Sequence, residues 1–219
     1  MPIDISDDIA TELAAVITHQ IDFPQALSDE AVEYFAALET TGDIDIDSYL
    51  MTARYERWIC DTGRAVISIA LEEDGEVVIH KQTGTPYAEF TYTKGNYRVG
   101  HPELLTFYPS QNTSHYVLNR VSRLIKEGIL PTPQLGSAIS AFGVLPKPEL
   151  PVVITLLDPE RQTMSDELYT CQKDHDEAPV ALIGIPMPNG DFTASTPKAL
   201  MGQVEQITDV KEVDVPADA

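Results

Sequence analysis

The chain has 219 residues, and its 14 Lys and Arg stand against 35 Asp and Glu, which gives a net charge of −21 and a pI near 4.3. Apolar residues make up 43% and charged residues 22%, a composition typical of a globular protein. The charge excludes a general nucleic-acid binder, because phosphate contacts need an excess of Lys and Arg. It also excludes an electrostatic anchor on anionic membranes. We therefore expect no direct binding to nucleic acid and no membrane association.

The lack of a transmembrane stretch and of an export signal makes the cytoplasm the expected location. No stretch approaches the roughly 18 apolar residues of a transmembrane helix, and the first residues lack the basic and apolar regions of a signal peptide. Two cysteines, Cys60 and Cys171, cannot build a disulfide framework or a four-cysteine zinc site. We expect reduced thiols, no cofactor and no bound metal.

The acidic residues are distributed unevenly along the chain. Residues 1–53 contain 12 acids and no Lys or Arg, whereas residues 54–203 contain 18 acids and 13 bases. Residues 204–219 contain 5 acids and 1 base. Such asymmetry indicates terminal extensions with a role of their own. Solubility or a high-salt habitat is one explanation, and an acidic surface for a basic partner is the other.

The acidic-surface hypothesis assigns the interaction to carboxylates in the first 47 residues. The candidate residues are Asp7, Asp8, Glu12, Asp29, Glu30, Glu33, Asp43, Asp45 and Asp47. Apolar stripes and capping residues predict helices in the same region, beginning near Ser6, Ser28 and Ser48. Residues 1–58 are therefore interpreted as an acidic helical extension.

Alternating and β-branched sequences predict strands in the first half of the remaining chain. These strands are expected at residues 64–71, 76–80, 87–93 and 103–108, with an Asp-Gly hairpin turn at residues 72–75. The clearest helix is predicted at residues 112–127. It has an apolar stripe and ends before Gly128, at the position that favours glycine.

Loops and buried strands are predicted for most of the chain after residue 128. Five prolines and two glycines between residues 129 and 151 indicate a loop, with one helical turn at residues 137–142. Apolar runs predict buried strands at residues 151–157 and 179–186, and residues 165–175 are interpreted as a short helix. A tight turn is expected at residues 188–191, and residues 204–219 are interpreted as a disordered acidic tail.

These elements predict an α+β fold, with a mixed or antiparallel sheet, a few packed helices and the acidic helical N-terminal extension. The expected domains are the extension at residues 1–58, an α+β core at residues 59–203 and the tail at residues 204–219.

Four short motifs in this core carry a resemblance: GRAV at 63–66, FTYTKG at 90–95, GHPEL at 100–104 and NGDF at 189–192. Their order resembles an uncharacterised bacterial and bacteriophage family with a Tyr-Thr-x-Gly and Gly-His-Pro-Glu-Leu core, over roughly residues 59–195. The chain departs from that pattern at Asn96, where the family carries an apolar residue, and near Tyr108, where it carries a glycine. The resemblance implies a shared fold and a phage or bacterial source, but no reaction.

One constellation suggests chemistry: Tyr92, His101 and Glu103, with Thr93 nearby. His101 and Glu103 are two residues apart at a predicted strand start, so their side chains are expected on one side. A histidine and a carboxylate so placed form a general base with its orienting group, or two metal ligands. The alternative is structural, with His101 bonded to backbone at a turn and Glu103 paired with Arg98.

Other motifs give little support to catalysis. Cys171 and His175 are four residues apart and could face one way on a helix, but without further ligands a solvated helix end is the favoured interpretation. No Walker A, Gly-x-Gly-x-x-Gly or Gly-x-Ser-x-Gly motif occurs in the sequence. Nucleotide binding and a serine-hydrolase elbow therefore have no sequence support.

Three functional hypotheses follow. The first is a non-enzymatic acidic interaction protein that binds a protein partner with a basic surface; a phage-encoded, host-modulating or DNA-mimicking protein is one form of it. The second is a small hydrolase or ligand-binding domain centred on His101 and Glu103. The third is a structural or assembly accessory protein that forms a homodimer through an exposed sheet edge.

Overall fold

In a computed structural model, the described residues are 62–81, 83–158, 178–187 and 209–216, together with Tyr55, Ile59, Leu200 and Ile207. The chain divides into two compact units, residues 1–65 and residues 66–219. The elements below belong to the second unit, apart from the first residue of the first strand. The helices predicted before residue 58 lie outside the described residues, except for Tyr55.

The described residues form nine strands, one α-helix and one 3₁₀ turn at Asn96–Val99. The elements are β1 (Ala65–Ala70), β2 (Glu72–Glu73), β3 (Glu76–Val77), β4 (Ala88–Lys94), β5 (Glu103–Thr106), α1 (Gln111–Lys126), β6 (Ser137–Phe142), β7 (Val152–Leu156), β8 (Val180–Gly184) and β9 (Asp209–Asp214).

Seven of these strands form one sheet in the order β1-β4-β5-β8-β7-β6-β9. The pairs β4–β5, β7–β8 and β6–β7 are antiparallel, whereas β5–β8 and β6–β9 are parallel. A mixed sheet with a packed helix agrees with the expected α+β class.

Helix α1 forms where the apolar stripe predicted it. The hydroxyl of Ser110 caps its first turn by accepting from the N–H of Thr113 at 3.4 Å. At the other end, Gly128 takes φ +72° and donates to the carbonyl of Ile125, as the sequence predicted. The buried side of α1 joins the sheet in one apolar cluster that includes Val117, Leu118, Val121, Leu124, Leu104, Ile139, Ile154, Ala181 and Ile183. Both faces of the central strands are buried, since Leu105 and Leu182 are also at most 5% exposed.

The Asp-Gly signal predicted the β2–β3 hairpin correctly. Asp74 and Gly75 both have positive φ, at 53° and 80°, as a two-residue type I′ turn requires. The return strand is short, since β3 ends at Val77 and Ile79 makes only an isolated bridge to Pro86.

Two sequence predictions were wrong. Residues 137–142, expected as a helical turn within a loop, form strand β6 between β7 and β9. Residues 209–214, expected within the disordered acidic tail, form edge strand β9, paired with β6 from Ser137↔Asp209 to Phe142↔Asp214. In both segments, pairing with a strand distant in sequence outweighs the weak local preference.

The strands predicted at residues 151–157 and 179–186 are confirmed as β7 and β8. The helix predicted at residues 165–175 and the turn predicted at residues 188–191 lie outside the described residues. Within the described part of the chain, no helix has the length and apolar character needed to cross a membrane.

Candidate functional site: two polar clusters beside helix α1

The carboxylate of Glu103 is the centre of the first cluster. Glu103 begins β5 and is only 1% exposed. Its Oε2 accepts from the hydroxyl of Thr93 at 2.8 Å, and its Oε1 accepts from the backbone N–H groups of Gly95 and Tyr97 at 2.8 and 3.1 Å. We call Glu103, Thr93, Asn96 and Ser122 the Glu103 cluster.

The loop between β4 and β5 presents its N–H groups to this carboxylate. Gly95 has φ +107°, a left-handed conformation that a residue without a Cβ adopts at little cost. The 3₁₀ turn at Asn96–Val99 follows directly, so the first N–H groups of the turn point back toward Oε1. A backbone concavity of this kind accommodates anionic groups, and here it holds the carboxyl group of the protein's own Glu103.

Asn96 connects the loop to helix α1. Its Nδ2 lies 2.9 Å from the hydroxyl oxygen of Ser122, 3.1 Å from Oγ1 of Thr93 and 3.3 Å from the carbonyl oxygen of Pro102. Asn96 and Ser122 are both 4% exposed. The structure therefore explains a polar residue at position 96, because the Asn96 side chain supplies hydrogen-bond donors to buried oxygens on three segments.

The electrostatics of Glu103 reflect two opposed effects. Burial raises the pKa of Glu103 and is the larger effect, whereas the hydrogen bonds from Tyr97, Thr93 and Gly95 lower that pKa. A backbone hydrogen bond from Asn96 lowers the pKa of Glu103 as well. The local chemistry is that of an anchored carboxylate rather than of a base open to substrate.

The other residues of the predicted constellation have separate surroundings. The ring of Tyr92 is 6% exposed and packs against Phe90, with ring centroids 6.0 Å apart. His101 is partly exposed, and its backbone N–H donates to the carbonyl of Asn96 at 3.1 Å. Within the described residues, Nδ1 of His101 is buried and has no hydrogen-bond partner. The structure thus gives no hydrogen bond between the His101 ring and Glu103.

A second cluster was not predicted from the sequence. Oγ of Ser68, on β1, lies 3.0 Å from Nε2 of His115, on α1, and 2.8 Å from Oγ1 of Thr91, on β4. Burial lowers the pKa of His115 below its ordinary value. We call Ser68, Thr91 and His115 the Ser68 cluster.

Sequence reasoning missed the Ser68 cluster because its three members lie on three different elements. The only local signal is a polar residue inside a strand rich in Val and Ile, which by itself fits an edge strand as well as a site. The pairing of β1 with β4, and the helix beside them, bring the three side chains together.

Metal ligation has no support in the described part of the chain, where no group of three His, Cys, Asp or Glu side chains could hold an ion. Cys171 and His175 lie outside the described residues, as do all nine candidate interaction carboxylates of the N-terminal extension.

Comparisons with known proteins found no matching family model, no similar curated protein and no similar solved structure. The resemblance to the uncharacterised bacterial and phage family therefore stays a prediction.

Proposed function

We propose that this protein binds a protein partner with a basic surface, through the acidic residues of its first 53 positions. The observation that carries the proposal is the presence of 12 acids without a single Lys or Arg in that segment. Charge complementarity of this kind sets the association rate and the choice of partner. The proposal includes a helical structure for residues 1–58 and a cytoplasmic location.

The charge of the rest of the chain supports a localised surface over general solubility. Residues 54–203 carry 13 bases against 18 acids, close to an ordinary balance. A protein that used acids only to stay soluble, or to tolerate high salt, would spread them over its whole surface. The acid excess is instead concentrated toward the two ends of the sequence.

The geometry of the Glu103 cluster favours this proposal over a hydrolase centred on His101 and Glu103. The Glu103 carboxylate is 1% exposed, and its oxygens already accept three hydrogen bonds from Thr93, Gly95 and Tyr97. A general base must reach the proton that it removes, either directly or through one water molecule. Glu103 is better explained as an anchor for the loop between β4 and β5.

The test is capture of partners from a cell lysate by two full-length variants that lose the same charge. The first converts Asp7, Asp8, Glu12, Asp29, Glu30, Glu33, Asp43, Asp45 and Asp47 to the corresponding amides. The control converts nine exposed acids of the second unit: Glu72, Glu73, Asp74, Glu76, Glu89, Glu127, Glu149, Glu212 and Asp214. Circular dichroism checks the fold of both variants.

We expect the wild type to capture a protein with a basic surface and to release it as the salt concentration increases. The first variant should fail to capture this protein, and the control variant should still capture it. Competition by duplex DNA for the same partner would identify the DNA-mimicking form. Equal loss with both variants would show that net charge alone matters, and capture unchanged in both, or the absence of a basic partner, would overturn the proposal.

A further inference from the structure

We propose that Ser68 is a nucleophile activated by His115, and that the Ser68 cluster gives this protein an acyl-transfer activity on carboxylic esters. This proposal is independent of the acidic binding surface, because Ser68, Thr91 and His115 all lie outside the first 53 residues. It concerns a site that no sequence motif marks.

The distances fit a nucleophile with its base. Ser68 Oγ and His115 Nε2 are 3.0 Å apart, within the hydrogen-bond range in which an imidazole removes a hydroxyl proton. Ser68 projects from a strand and His115 from a helix, two rigid elements that hold the pair in position.

Thr91 determines how the protons are arranged. Thr91 is fully buried, and its hydroxyl contacts Ser68 Oγ at 2.8 Å. When His115 Nε2 carries no proton, Ser68 donates to Nε2 and Thr91 donates to Ser68. The two hydrogen bonds then form a chain from Thr91 through Ser68 to the imidazole. When Ser68 loses its proton, the hydrogen bond from the Thr91 hydroxyl stabilises the negative charge that develops on Ser68 Oγ.

The environment of the ring favours its basic form. Burial lowers the pKa of His115, so the imidazole is neutral at pH 7 and available to accept a proton. The charged residues of the elements that carry the cluster are few: α1 has Arg120, Arg123 and Lys126, β4 has Glu89 and Lys94, and β1 has none. Ser68 and His115 are both partly exposed, as the approach of a small ester requires.

The reaction proceeds in two balanced steps. Ser68 Oγ bonds to the ester carbonyl carbon while its proton passes to His115 Nε2, and the carbon–oxygen bond to the alcohol breaks as Nε2 returns the proton to the alcohol oxygen. A water molecule then gives a proton to Nε2 and its oxygen attacks the acyl-serine. The carboxylic acid leaves, and Ser68 recovers its proton.

The experiment uses a fluorophosphonate probe on the full chain. Ser68 Oγ bonds to phosphorus, fluoride leaves, and the serine proton goes to His115; peptide mass spectrometry locates the adduct. We expect labelling at Ser68, at a rate that rises with pH through a midpoint below 6.5 and then levels off. His115→Gln should slow labelling by about 100-fold or more, the contribution typical of a positioned base. Thr91→Val should slow it to a smaller extent, and hydrolysis of p-nitrophenyl acetate should follow the same order.

Two controls separate reactivity from folding. Ser137, whose hydroxyl donates to the carbonyl of Gln134, is a serine without an adjacent histidine and should stay unlabelled. His80→Gln should label as the wild type does, and circular dichroism should show that every variant is folded. Labelling of Ser68 no faster than of Ser137, or a folded His115→Gln variant that labels at the wild-type rate, would overturn the proposal.

Discussion

The hydroxyl of Thr93 donates to Oε2 of Glu103 across 2.8 Å, and the same hydroxyl oxygen accepts from the N–H of Leu104 at 2.8 Å. One side chain of β4 therefore contacts two successive residues at the start of β5. Because Glu103 also accepts from two backbone N–H groups of the intervening loop, the link joins both strands and the loop between them. The Glu103 cluster thus fixes the geometry of this part of the sheet.

Glu103→Gln should lower the free energy of unfolding by about 1–3 kcal/mol, the cost of leaving a buried polar group unsatisfied. If the amide oxygen keeps the N–H groups of Gly95 and Tyr97, the amide nitrogen faces Oγ1 of Thr93. That oxygen already accepts from Leu104 and Asn96, and its own hydroxyl would lose its acceptor. Urea unfolding measures the difference.

Glu89→Gln is the matched control for that substitution, because Glu89 lies on β4 but is exposed. It should change stability by no more than about 0.5 kcal/mol. Equal destabilisation by the two substitutions would contradict a special role for the buried carboxylate.

Gly143→Ala should destabilise the protein more than Gly136→Ala. Both glycines have positive φ, at +78° and +77°, so both variants carry the cost of a left-handed residue, about 1–2 kcal/mol. At Gly143 the added Cβ would also lie 2.6 Å from the carbonyl oxygen of Val215, whereas at Gly136 nothing lies within 4 Å. The measurement is the urea midpoint of each variant, and equal midpoints would show that the close approach to Val215 has no cost.

Stability should depend on pH through His115. Burial lowers the pKa of His115 in the folded protein below 6.5, its ordinary value in an unfolded chain. At a pH between the folded and unfolded values, the unfolded chain therefore binds more protons than the folded protein. The stabilisation is complete above pH 6.5 and is lost as the pH falls through the lowered folded value. The difference in free energy of unfolding between wild type and His115→Gln, measured from pH 8 to pH 5, should therefore be constant at first and shrink below 6.5. A constant difference over the whole range would contradict the lowered pKa.

Ser122→Ala should cost about 1 kcal/mol, because the buried amide of Asn96 loses an acceptor at 2.9 Å. Ser137→Ala, at a partly exposed serine whose hydroxyl donates to Gln134, should cost less. Thermal unfolding of the two variants side by side provides the comparison, and a larger loss for Ser137→Ala would argue against the link between loop and helix.

Local sequence signals predicted the elements that they control directly. The Asp74-Gly75 pair specified a type I′ turn because both positions need positive φ, and Gly128 marked the end of α1 for the same reason. Strands β6 and β9 could not be predicted in this way. Their short sequences have no strong strand pattern, and they are held by pairing between residues as distant as Ala138 and Val210.

Two members of the Glu103 cluster, Glu103 and Thr93, were in the constellation predicted from the sequence, whereas Asn96 and Ser122 were not. The sequence pointed to Glu103, and the structure places it at the centre of a hydrogen-bond network, but the partners that define its role are backbone N–H groups of Gly95 and Tyr97, which no side-chain motif encodes. The Ser68 cluster depends on contacts across 23 and 47 positions of the chain, and a single sequence carries no information about such proximity.

Strand β9 has a consequence for how this protein is made. Because β6 lies between β7 and β9, one side of it has no partner until residues 209–214 have been synthesised. A nascent chain that has already paired β6 with β7 would present the other edge of β6 to any extended peptide nearby. Ribosome-bound chains are then vulnerable to mispairing at Ser137–Phe142, and synthesis of β9 ends that vulnerability.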